Sequence, residues 1–164
     1  MPDTNTAAPP GAAHRLRGEN VVIVGPGRVG LSVGNWLAAL GARIHAIAGR
    51  RRPSDDVLES AALGNTRWSP LESLRSDQAD VLILAVADPA LEAVAAELAT
   101  RPQAPTVLHV SGHFDHRALD AFDAPDRRLG SWHPLRAFPT PSSSRADAAG
   151  VTWAIDGHPR ACDL

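Results

Sequence analysis

The chain has 164 residues, enough to bury one real core and too few for two sizeable domains. Hydrophobic residues make up 44% and charged residues 21%, close to the globular average, and no apolar run approaches the roughly 18 residues of a membrane span. All 16 basic side chains are arginine, so no lysine can act here as Schiff base or general acid. A net charge of -2 argues against a nucleic-acid partner. The lone Cys162 excludes a disulfide framework and a cysteine-based zinc site, and no other metal-ligand set stands out.

Residues 1–18 are rich in Ala and Pro and carry neither an apolar h-region nor a hydrophobic period. They read as a mobile tail without a secretory signal, which points to the reducing cytoplasm. From Glu19 onward, apolar runs of strand length alternate with helical patterns, as in a doubly wound α/β domain with a mainly parallel sheet. The first strand is Asn20 to Val24, apolar throughout after its first residue and so covered on both faces. A helix from Arg28 to Leu40 follows, with Val29, Val33, Leu37 and Leu40 on one stripe and Gly41 as its stop.

Arg43 to Ala48 is the second strand. Ser54 is placed to cap a helix reaching Leu63, and Asn65 to Trp68 reads as a brief third strand. Ser69-Pro70-Leu71-Glu72 has the form of a capping box with proline at the first helical position. Asp80 to Val86, with six apolar residues in succession, should be the central strand. Asp88 is placed to cap a helix over Pro89 to Leu98. Further strands are expected at Thr106 to Val110, Leu129 to Trp132 and Val151 to Ile155, with a helix capped by Asp115 running to Phe122. Pro139 to Gly150 reads as a polar loop.

Gly25-Pro26-Gly27-Arg28-Val29-Gly30 fits G-x-G-x-x-G between an apolar strand and an amphipathic helix. The first glycine permits a tight turn, the second a close approach of a pyrophosphate, and the third close helix–strand packing. Free N–H groups and the dipole of the helix N-terminus would then hold the anion. The plainer alternative is a glycine turn that only joins strand to helix. The second strand ends without the carboxylate that accepts the ribose hydroxyls of NAD. Arg50-Arg51-Arg52-Pro53-Ser54 stands there instead, a setting for the 2′-phosphate of NADP. A solvated basic loop is the other reading of those arginines.

Ligands of open α/β sheets lie across the carboxyl ends of the strands, which selects Ala87, Ser111 and the stretch Trp132 to Arg136. His133 could exchange a proton with a substrate while hydride moves, or could merely fix the turn. Arg136 could clamp a substrate carboxylate. His113 is a weaker candidate, and Trp36, Trp68 and Trp153 fall on core or interface patterns.

Taken together, VVIVGPGRVGLSVGNWLAALGARIHAIAGRR, ADVLILAVAD, VLHVSGHFDHRALDAF, GSWHPLRAFP and GVTWAIDG resemble the bacterial Rossmann-like proteins whose second half is the helical domain of unknown function 2520. These are relatives of pyrroline-5-carboxylate reductase and the coenzyme F420-dependent NADP oxidoreductase. The resemblance covers residues 19–157. It implies NADP contacts at Gly25, Gly27, Gly30, Arg50 and Arg51, places Ala87 and Ser111 near the cofactor, and sets His133 on the active-site side, much as in the His-Pro motif of prephenate dehydrogenases. It further implies a C-terminal helical domain that completes the pocket for a small substrate and forms a homodimer, with residues 158–164 a stub of the linker to it. The expected function is NADP(H) binding in an oxidoreductase that reduces a small carbonyl or imine, such as a 2-oxo acid. A non-catalytic NADP-binding or sensing module and an inactive truncation product stay open.

Overall fold

A computed structural model describes residues 16–140 and 150–164. Seven strands form one sheet: β1 (Asn20–Val24), β2 (Arg43–Gly49), β3 (Arg67–Pro70), β4 (Val81–Leu84), β5 (Thr106–His109), β6 (Arg128–Pro134) and β7 (Trp153–Gly157). Their spatial order is β3-β2-β1-β4-β5-β6-β7. Every pairing is parallel except the last, in which β7 runs antiparallel to β6. The order reverses between β1 and β4, so the crevice at a topological switch point lies at their carboxyl ends.

The apolar runs are continuous because both faces of the sheet are covered. Val22, Val24, Leu82, Leu84 and Val107 point to one face, where they meet helix α3 (Leu91–Ala99) and the 3-10 helix His116–Phe122. Their neighbours Val21, Ile23, Val81, Ile83 and Leu108 point to the other face and pack on α1 (Arg28–Ala39). Leu31 and Ile47 form a smaller cluster with Leu58 of α2 (Asp55–Ser60). Helix α1 stops where Gly41 was expected to end it, and the reason is geometric. Gly41 takes a φ of 98°, its N–H donates to the Ala38 carbonyl at 3.0 Å, and the Ala42 N–H donates to the Leu37 carbonyl at 3.0 Å. This is the double closure of a Schellman motif.

Several expected boundaries shift. Ser69 and Pro70 do not open a helix: both complete β3, with Ser69 paired to Ala48 and Pro70 to Gly49, and only the 3-10 turn Leu71–Ser73 follows. An edge strand tolerates a proline that cannot donate, and the extended ψ of 143° at Pro70 is incompatible with a first helical position. Helix α2 ends at Ser60, and Ala62 beyond it has a φ of 57°. Asp88–Ala90 is a 3-10 turn leading into α3, and the segment capped by Asp115 is 3-10 rather than α. Strand β6 continues through His133 and Pro134, because antiparallel β7 pairs with it there.

The ends of the domain also differ from expectation. Of the tail expected at 1–18, residues 1–15 lie outside the described residues, but Leu16 is buried and the Gly18 N–H donates to the Gly41 carbonyl at 2.9 Å. The expected stub at 158–164 is part of the fold: α4 (Pro159–Cys162) buries Ala161, whose carbonyl accepts the Trp132 indole N–H at 3.0 Å. The loop expected at Pro139–Gly150 falls mostly on residues outside the description. No helix among the described residues is long and apolar enough to cross a membrane.

Candidate functional site

The three glycines of the loop after β1 face three different surroundings. A Cβ at Gly25, whose φ is 104°, would lie 2.3 Å from the Ala85 carbonyl oxygen. At Gly30 it would lie 2.1 Å from the Gly25 carbonyl oxygen and 3.1 Å from Ala85 Cβ. These two positions need glycine so that loop, helix and the end of β4 can touch. At Gly27 a Cβ would meet no atom of the described residues within 4 Å, so the absence of a side chain serves no contact among them. Gly27 is the N-cap of α1, and the first turn has neither a side-chain cap nor an acidic residue. The N–H groups of that turn have no intrahelical acceptors, which makes the helix end a cradle for an anion. Arg28 is exposed beside it, and Val29 packs against the α1 face of the sheet.

Pro26 lies against the end of β2: a Cβ at Gly49 would stand 2.8 Å from its Cδ. The glycine loop is therefore joined to the start of the arginine run. Arg50 and Arg51 are exposed and make no ion pair with the described residues, whereas Arg52 is engaged by Asp55 at 2.6 Å. Two of the three guanidinium groups remain available for an anion at the tip of β2.

The far half of the crevice is formed by β4, β5 and β6. Ala87 is exposed just beyond β4, and Ser111 is buried beyond β5, where its Oγ accepts the His113 N–H at 3.1 Å. His113 stacks edge-on to Phe114 with ring centroids 4.8 Å apart. β6 reaches past the end of β5, and His133 Nδ1 lies 3.2 Å from the Val110 carbonyl. A carbonyl only accepts, so Nδ1 carries the proton and neutral His133 keeps its lone pair on Nε2. The ring lies flat on Gly112, where a Cβ would be 2.5 Å from both Cε1 and Nε2. Gly112→Ala should therefore dislodge the His133 ring and break its contact with the Val110 carbonyl. A shift of the His133 ring signals in the NMR spectrum of an otherwise folded variant checks this.

Arg136 is not brought to His133. Its guanidinium stacks 5.7 Å from the Trp36 ring centroid and 5.9 Å from that of Phe138, and its Nε donates to the Ala137 carbonyl. This contact is with α1, whereas the pleat turns His133 to the face opposite Trp132. Trp36, Trp132 and Trp153 form an edge-to-face aromatic cluster, and Trp68 packs against the α2 cluster. Trp36 and Trp132 are buried, Trp68 and Trp153 are half-buried against the same clusters, and Arg136 covers the edge of the Trp36 cluster.

Composition and motif reading passed over His109, which is fully buried in β5. Its Nδ1 accepts the Ser111 N–H at 3.2 Å and its Nε2 is 2.9 Å from the Asp115 carbonyl. Burial holds its pKa below the ordinary histidine value, so the ring is neutral, with the proton on Nε2. A histidine inside an otherwise apolar strand was the available signal. Asp115 closes the same loop by accepting the Arg117 N–H at 3.0 Å, and the Arg117 guanidinium holds its carboxyl down at about 2. That contribution is complete above the ordinary carboxylate range and is lost as pH falls toward about 2, so the protection of the Arg117 amide, measured as exchange relative to the free-peptide rate at each pH, should fall over that window.

An open doubly wound sheet with a glycine cradle at its switch point defines a Rossmann-type, dinucleotide-binding architecture. The chain belongs to the Rossmann-like domain family, whose model matches residues 2–124. No curated protein matches the sequence. Among solved structures, the fold is similar to that of a protein from Bacteroides fragilis described as an NADP oxidoreductase (15% identity, TM-score 0.67, 88% of this chain and 54% of that one). It is also similar to 1-pyrroline-5-carboxylate reductase from Streptococcus pyogenes (19%, 0.63, 87% and 49%). A third is prephenate dehydrogenase from A. aeolicus in complex with hydroxyphenyl propionate and NAD+ (18%, 0.59, 86% and 51%). At these identities the likeness is one of fold. The chain spans about half the length of each.

Proposed function

We propose that this domain binds NADP(H) and serves an oxidoreductase that reduces a small carbonyl or imine, such as a 2-oxo acid. The observation that carries the binding is the open space at Gly27 over an uncapped helix N-terminus, between two glycines packed too tightly to accept a Cβ. In this reading the loop Gly25 to Gly27 and the first turn of α1 through Gly30 take the pyrophosphate. Arg50 and Arg51 take the 2′-phosphate, with Pro26 and Gly49 forming the floor between the two anion sites. Ala87 and Ser111 border the nicotinamide end. The choice of NADP over NAD rests on those two exposed arginines, which pair with none of the described residues, and on the absence of a carboxylate at the end of β2, since proteins of this fold include one solved with NAD+.

When bound, NADPH supplies a hydride to an electrophilic carbon. What the chain itself supplies is a proton relay site. His133, with Nδ1 tied to the Val110 carbonyl, can hold a proton at Nε2 and deliver it to a developing alkoxide or amine. No lysine competes for that role. The relatives in fold are about twice as long, and a helical domain supplied in trans or in the same polypeptide is part of the proposal for the substrate pocket. The reaction is tested by following NADPH oxidation with 2-oxo acids and cyclic imines, with and without such a domain. Turnover lost in His133→Asn supports the assignment; cofactor binding without any oxidation identifies a binding or sensing module.

A further inference from the structure

Two imidazoles hold opposite ends of one peptide group. The Val110–Ser111 peptide offers its carbonyl to His133 Nδ1 at 3.2 Å and its N–H to His109 Nδ1 at 3.2 Å. His109 in turn is anchored through Nε2 to the Asp115 carbonyl at 2.9 Å. Donor and acceptor alternate along the whole series: His133 Nδ1–H to the Val110 carbonyl, Ser111 N–H to His109 Nδ1, and His109 Nε2–H to the Asp115 carbonyl. Each nitrogen has one consistent proton assignment, and each bond polarises the next.

We infer that His109 is a positioning residue for His133: by gripping the Ser111 N–H it fixes the Val110–Ser111 peptide plane, and through that plane it fixes the ring orientation and tautomer of His133. The inference rests on the proposed role of His133 as proton donor. His109 sits opposite Ser131 in the β5–β6 register, so two residues further along β6 the side chain of His133 returns to the same face. The buried ring of His109 has no exposed surface for a ligand, and its two nitrogens are both spent on the loop that carries Ser111, Gly112 and His113. With the peptide plane released, the Val110 carbonyl could turn from His133, and the neutral imidazole could place its proton on either nitrogen. Only the Nδ1–H form leaves Nε2 ready to receive and pass on a proton.

The test is long-range 1H–15N correlation of the histidine rings in the protein at neutral pH, with His133→Asn used to assign the His133 signals. The wild type should show His133 as the Nδ1–H tautomer and His109 as the Nε2–H tautomer. His109→Leu, which fills the site with an apolar side chain, should give a mixture of His133 tautomers. His109→Asn, whose Oδ1 can still accept the Ser111 N–H, should restore most of the Nδ1–H form. A wild type with His133 protonated on Nε2 would overturn the inference without recourse to any variant. So would a folded His109→Leu protein with an unchanged His133 tautomer. NADPH titration of the same samples separates the two levels: a wild type with the expected tautomers that does not bind NADPH refutes the functional reading alone.

Discussion

Gly27→Ala should fold like the wild type and lose at least about tenfold in NADPH affinity, a cost of roughly 1.4 kcal/mol or more. In the free protein the added methyl meets none of the described residues within 4 Å, and the backbone at Gly27 has a φ of -86°, which any L-residue adopts. An alanine N-cap is slightly poorer than glycine, and the stiffer unfolded chain offsets part of that, so stability should stay within about 1 kcal/mol. In the complex the methyl would occupy the space a phosphate needs above the first turn of α1. Gly30→Ala is the contrasting variant: its Cβ would be 2.1 Å from a backbone oxygen, so it should lose thermal stability along with binding. Thermal melts paired with fluorescence titration distinguish the two. Equal NADPH affinity in Gly27→Ala would place the phosphates elsewhere.

The second large effect is one of selectivity. Replacing Arg50 and Arg51 together by Ala should weaken NADPH binding by about a hundredfold or more and leave NADH binding nearly unchanged, because each charge-assisted bond to a phosphate contributes roughly 1.5 to 3 kcal/mol. Both side chains are exposed and unpaired among the described residues, so their removal breaks no internal contact and should not alter the melting temperature. The effect should shrink as salt rises, since the arginines act from a solvated surface. Equal losses for NADH and NADPH, or no loss for either, would contradict the assignment of these arginines to the 2′-phosphate.

Much of this architecture is written in local patterns that tertiary packing does not override. Continuous apolar strands such as Val81–Leu84 can be satisfied only when both faces are covered. The glycine spacing fits a strand-to-helix turn whose steric demands recur in the structure at Gly25 and Gly30. Ser69-Pro70 was misread because a capping box and the end of an edge strand share the same residues, and only pairing with Ala48 and Gly49 separates them. The extension of β6 through His133 depends on β7, a partner about 20 residues distant in sequence, and no local signal reports it.

The site was legible to a different degree. The cradle and the arginine run depend on residues adjacent in sequence, and both are found at the carboxyl end of the sheet. Arg136 was proposed as a substrate clamp from its place after a strand end, but it stacks on Trp36 and Phe138. Its position could not be foreseen without knowing which face of the sheet the chain takes after Pro134. His109 went unnoticed because its role is to hold backbone groups of Val110–Ser111 and Asp115, which carry no side-chain signature. The seven C-terminal residues read as a linker stub from the family resemblance alone, and their anchoring to Trp132 is a long-range contact that no local pattern reports.

The most direct test is calorimetric titration of the purified wild-type chain with NADPH and, in parallel, NADH. The account predicts one site per chain and NADPH binding about a hundredfold tighter than NADH, a difference of roughly 2.7 kcal/mol. Absence of NADPH binding at a cofactor concentration on the order of 1 mM, where even a site with a free energy near -4 kcal/mol is half filled, would contradict it.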